Sequence, residues 1–162
     1  RAKTEAKFVP NGLEAQPLKF DSVETANKIA GILRIQRDWG LDALDEMNLG
    51  VWEKSKFEAR LEDDFSIGYI GGFCDGCLQR ELGDDLEKYE TECLAIFTIV
   101  YISLFGDEKG AEICNKFFEL QDAPNKMFNQ GRAKGGNTAF SIWKKRSDLS
   151  QSNDWTDYIS SN

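Results

Sequence analysis

Phe65-Ser66-Ile67-Gly68-Tyr69-Ile70-Gly71-Gly72-Phe73-Cys74-Asp75-Gly76-Cys77-Leu78 decides how the rest of the chain reads. At 100° per residue, Phe65, Ile67, Tyr69, Ile70, Phe73, Cys74, Cys77 and Leu78 cover a wide apolar arc. The remaining strip holds Asp64, Gly68, Gly71, Gly72, Asp75 and Gln79, and Gly68, Gly72 and Gly76 stand four apart. A glycine inside a helix costs about 1 kcal/mol relative to alanine. Four of them cost roughly 4 kcal/mol, a large part of a typical net stability. Close approach of a neighbouring helix would compensate. An open groove for a partner's helix or loop would also explain the strip, with Gly68, Gly72, Asp75 and Gln79 as its lining. A break at Gly71-Gly72 is the remaining option.

Outward from this helix the periodicity stays helical. Asp21 and Glu24 form a capping box, and Val23, Ala26, Ile29, Ala30, Leu33 and Ile35 follow at helical spacing to about Arg37, with Trp39-Gly40 as the stop. Leu41 to Leu49 reads as a short helix closed by Gly50, Val51 to Leu61 as a third, and Glu62 to Leu82 as a fourth. Gly83-Asp84-Asp85 is a turn, Leu86 to Phe105 a fifth helix, and Gly106 to Gln121 a sixth. Asp122-Ala123-Pro124 opens a short segment to Asn129, Gly131 to Gly136 reads as a glycine-rich basic loop, and Thr138 to Lys145 as a last short helix. Residues 1–20, with Pro10-Asn11-Gly12 and Pro17, read as an extended arm, and 147–162 as a loop-like tail pinned by Trp155 and Tyr158. The expectation is one all-α domain over 21–146. It is an irregular bundle of five to seven helices around a central antiparallel hairpin at about 62–105, with extended N- and C-terminal arms.

Composition narrows the chemistry. The 162 residues contain no histidine. That removes Ser-His-Asp and Cys-His catalysis and every His-bearing zinc or haem site. The formal net charge of −8 weighs against nucleic-acid binding. The longest apolar run, Cys93 to Phe105, is thirteen residues, short of the ~20 that span a bilayer. The first residue is Arg, which is compatible with a cleaved targeting segment and a mature organellar or exported location.

Cys74, Cys77, Cys93 and Cys114 are spaced C-x2-C-x15-C-x20-C, but all fall within apolar helical stretches rather than zinc knuckles. No metal or cofactor is expected. Cys74 and Cys93 fall nine residues before and ten after the turn at Gly83, at similar height in an antiparallel pair. They are candidates for a disulfide in an oxidising compartment, or for two packed thiols. Cys74-Asp75-Gly76-Cys77 is a C-x-x-C, yet it lies deep in a helix instead of at the helix start that activates a thiol.

Charge is polarised. Residues 38–92 hold 16 acidic and 5 basic side chains, a net of −11. Residues 126–146 hold six basic ones (Lys126, Arg132, Lys134, Lys144, Lys145 and Arg146) and no acid. Arg132, Lys134, Lys144, Lys145 and Arg146 are a candidate basic patch, and the Gly131–Gly136 loop resembles an anion nest ahead of a helix. The carboxylate clusters fall at helix starts, where they suit the dipole. With no catalytic set in view, the expected function is a non-catalytic helical protein-binding module, an accessory or scaffold subunit of a larger assembly. An acidic inhibitor or immunity-type protein that binds a basic toxin or enzyme is one alternative. An enzyme using carboxylates or the C-x-x-C is the other.

Overall fold

Asp63 starts the central helix: its carboxylate accepts the Ser66 N–H at 3.0 Å, and the helix runs Asp64–Leu82. The computed structural model describes residues 21–46, 51–143 and 154–161. Among these the chain forms α1 (Ser22–Glu46), α2 (Val51–Leu61), α3 (Asp64–Leu82), a 3-10 segment (Gly83–Tyr89), α4 (Glu90–Phe105), α5 (Asp107–Asp122), α6 (Lys126–Ile142) and α7 (Asp154–Ser160), and no strand. The molecule is an all-α helical bundle. The arm expected at 1–20 lies outside the described residues.

The glycine strip of α3 faces another helix at backbone distance. A Cβ on Gly68 would stand 2.4 Å from the carbonyl oxygen of Phe128, and one on Gly72 2.2 Å from that of Arg132. From the other side, a Cβ on Gly131 would stand 2.0 Å from the Phe65 oxygen, and one on Gly135 2.1 Å from the Tyr69 oxygen. Only a hydrogen fits in these places. Each glycine therefore turns a Cα–H toward a facing carbonyl, a weak bond worth about 0.5–1 kcal/mol. The contact points advance together along both helices, so α3 and α6 run parallel. Polar ties hold both ends. Asn125 caps α6, accepting from the Phe128 N–H at 2.9 Å, and its own amide donates to Asp64 at 2.7 Å. At the far end Trp143 Nε1 donates to Glu81 at 3.0 Å.

This arrangement corrects the sequence reading at Gly131–Gly136. The segment is the interior of α6, not a loop, because Gly131 and Gly135 are contact points. The anion nest disappears with the loop, since its N–H groups are spent within a helix. Three other boundaries move. Of the separate helix expected at Leu41–Leu49, residues 41–46 are instead continuous with α1, which passes through Gly40, and the rest lie outside the described residues. A Cβ there would meet the Ile159 side chain at 2.9 Å, so this glycine admits α7 instead of stopping α1. Gly83–Tyr89 is 3-10 rather than the first turn of α4. The tail contains α7, with Trp155 0% exposed, so the expected pin holds but sits on a helix.

α4 returns antiparallel to α3. Its contact is made by side chains: Tyr101 Oη donates to the Ile67 carbonyl at 2.7 Å. α5 sends the buried Phe117 ring into the notch at Gly71, where a Cβ would lie 1.9 Å from the ring. Phe117 packs in turn on Phe97, Tyr101 and Phe128. The core is thus aromatic around a rod that is backbone-thin on one side.

Candidate functional site

Asp75 and Gln79 lie one turn apart on the exposed face of α3, and the Gln79 amide donates to Asp75 Oδ2 at 2.7 Å. Of the four residues expected to line a groove, these two stay open. Gly68 is buried under α6, and Gly72 is buried at the margin of the same contact. The occupant of the glycine strip is therefore another part of this chain. Clefts remain on either side of Asp75.

The first cleft, of about 510 Å³, lies between α3, the 3-10 segment and α4. Its apolar lining is Leu78, Leu86, Cys93 and Phe97, and its acidic lining is Asp75, Glu87 and Glu90. Leu94, beside Cys93 on α4, is 49% exposed. The 3-10 segment carries Asp84, Asp85 and Glu87 against a single Lys88, which is paired with Asp85 at 3.2 Å. An apolar floor with a carboxylate rim is the result.

The second cleft, of about 580 Å³, runs beside the α3–α6 contact and is walled by α5. Gly72, Gly76 and Gly136 lie along it, with Asp75 and Arg132 bringing opposite charges and Phe117 and Phe140 bringing rings. Burial pushes the Asp75 carboxyl above the ordinary carboxylate range, opposed by the Gln79 hydrogen bond and the Arg132 charge.

The basic patch is described only in part. Arg132 and Lys134 are exposed on α6, and Arg132 stacks over the Phe128 ring at 5.5 Å. Lys144, Lys145 and Arg146 lie outside the described residues.

All four cysteines are free thiols. Cys74 is buried, and burial pushes its thiol far up, with Cys114 and Asp75 adding to the shift. Burial does the same at Cys77, with Cys74 and Glu81 contributing. The charge neighbours of Cys93 are Glu92, Asp75 and Glu90, on top of its own partial burial. Every one of these influences disfavours the thiolate, the reverse of the electropositive and accessible setting in which cysteines react. At neutral pH only Cys93 is expected to react with a small disulfide reagent in the folded protein, more slowly than a free thiol. Its rate should rise with pH as the thiolate forms. Cys74 and Cys77 should react only on unfolding. Rapid labelling of either at pH 7, followed by mass spectrometry of the modified peptide, would contradict this assignment.

Among the described residues, no group of three or more His, Cys, Asp or Glu is placed to hold a metal ion, and no helix is long and apolar enough to cross a membrane. Sequence reasoning reached Asp75 and Gln79. It also named Cys93 and Arg132, as a thiol candidate and a basic-patch candidate, without placing them at a cleft, and it missed Leu86, Glu87, Glu90, Gln121 and Phe140, which reach a cleft only through the packing of one element on another. Comparison with protein-family models, with curated proteins and with solved structures found no match to this chain, so its role is argued from its own residues.

Proposed function

We propose that the chain is a non-catalytic protein-binding module, an accessory subunit that docks on a basic partner within a larger assembly. The observation that carries this reading is the cleft of Leu78, Leu86, Cys93 and Phe97 rimmed by Asp75, Glu87 and Glu90. Apolar floors anchor partner side chains, and a single-signed rim steers and selects the partner. A basic segment with an apolar anchor residue fits both parts. The acidic inhibitor reading uses the same surface and differs only in the partner being a basic enzyme or toxin. The protonated, enclosed C-x-x-C gives the enzymatic reading no activated nucleophile to build on.

The test is charge reversal. Glu87 and Glu90 are exposed, and Glu90 opens α4, where a lysine opposes the helix dipole, so Glu87→Lys with Glu90→Lys should cost no more than about 1–2 kcal/mol and keep the fold. The native complex, isolated from the source and measured by surface plasmon resonance, should lose about tenfold or more in affinity with the double variant. It should also weaken steeply with salt through its association rate. A chain that is monomeric in its native extract, or a complex indifferent to both changes, would overturn the proposal.

A further inference from the structure

Among the glycines of α6, Gly136 is the one that intramolecular packing does not require. Its neighbours Gly131 and Gly135 are forced, because a Cβ at either would meet a backbone oxygen at 2.0–2.1 Å. A Cβ on Gly136 would meet only the Gly72 oxygen, at 3.7 Å, which is ordinary contact. The position still bears the helical cost of glycine, about 1 kcal/mol relative to alanine. What the missing side chain leaves is open space over the second cleft.

That cleft has the attributes of a small-molecule site. Its volume of about 580 Å³ lies within the usual range for ligand pockets. Two opposite charges converge on it. Asp75 bonds Gln79 with one oxygen, and a carboxylate has room for further donors. Arg132 spends its face on the Phe128 ring, which leaves its in-plane N–H donors for an anion. Asp75 and Arg132 sense each other's charge across the cleft without forming the 4 Å ion pairs seen elsewhere on the surface. Beyond them, the 42%-exposed Phe140 offers apolar contact. Gln121 and Asn129 add amides that can donate or accept.

We propose that the cleft between α3, α5 and α6 binds a small zwitterion with an apolar body, of the charge pattern of a free α-amino acid. Its ammonium pairs with Asp75, its carboxylate with Arg132, and its side chain lies over Gly136 toward Phe140. The two clefts share Asp75, while the walls this site takes from α5 and α6 are its own, so the amino-acid titration reads it without the docking partner.

Isothermal titration calorimetry with L-leucine and L-phenylalanine, at millimolar concentration, tests it directly. Binding is expected for both. Leucinamide, which lacks the carboxylate, and N-acetyl-leucine, which lacks the ammonium, should each bind about tenfold more weakly or not at all. Gly136→Leu fills the cleft from its floor and should abolish binding while circular dichroism stays native. Ala133→Leu, at an exposed position on the same wall, repeats the test should Gly136→Leu misfold. No heat with either amino acid, equal binding of the two blocked derivatives, or full binding by a folded Gly136→Leu or Ala133→Leu chain would each overturn the proposal.

Discussion

Gly135→Ala and Gly136→Ala are expected to shift the melting temperature in opposite directions, although the residues are adjacent on one helix. The Gly135 Cβ would lie 2.1 Å from the Tyr69 oxygen and 2.8 Å from the Phe73 nitrogen. Both are backbone atoms of α3, so no side chain can rotate away. The helices must part, which breaks the Cα–H contacts along the rod and disturbs the caps at Asn125 and Trp143. Overpacking of this kind costs about 3 kcal/mol, and for a chain of this size each kcal/mol is worth about 2–4 °C. Gly136→Ala meets nothing closer than 3.7 Å and gains alanine's helix propensity, about 1 kcal/mol. Thermal denaturation of the two variants beside the parent therefore separates a contact glycine from a spare one. Equal destabilisation by both would mean that the α3–α6 contact is not as close as described.

The same pair of helices shows what the sequence could and could not reveal. The strip of Gly68, Gly72 and Gly76 demanded some compensation, a close neighbour helix or a groove for a partner, and the helical cost of those glycines made the demand quantitative. The neighbour's identity was hidden because Gly131, Gly135 and Gly136, set among Arg132, Lys134 and Asn137, have the local look of a loop. The available signal was spacing: Gly131 and Gly135 repeat the four-residue interval of the α3 strip, so each set satisfies the other. Glycine propensity is local, while the contact that overrides it is tertiary. Gly40 misled for the same reason, since the Ile159 side chain that needs the gap lies 119 positions further along the chain. The caps at Asp21 and Asp63 were readable or nearly so because capping is decided within three residues. The clefts were not: the second joins α3, α5 and α6 only through packing, and the first depends on how α4 folds back over α3.

Trp155 should prove the most costly single truncation outside the central rod. It is fully buried, stacked on Tyr69 at 5.4 Å between ring centroids, and its Nε1 donates to Ser66 Oγ at 2.9 Å. Ser66 Oγ passes the chain of bonds on to the Arg60 carbonyl at the end of α2. Beside it Phe65 stacks on Tyr158 at 4.1 Å, the Tyr158 hydroxyl donates to the Asp63 carboxylate that caps α3, and Thr156 Oγ1 donates to the Gln36 carbonyl at 2.7 Å. One short helix therefore ties α1, α2 and the start of α3 together. Trp155→Ala removes the ring and leaves Ser66 buried without its donor. A buried Trp→Ala change costs about 3–5 kcal/mol. Trp155→Phe keeps most of the apolar burial and loses only the N–H, so about 1 kcal/mol is expected from the lost hydrogen bond, since the Ser66 hydroxyl keeps its bond to the Arg60 carbonyl. Urea denaturation should place Trp155→Phe between the parent and Trp155→Ala. If Trp155→Ala unfolds at the parent's urea midpoint, α7 is not part of the cooperative unit, and the tie between α1, α2 and α3 must be made elsewhere.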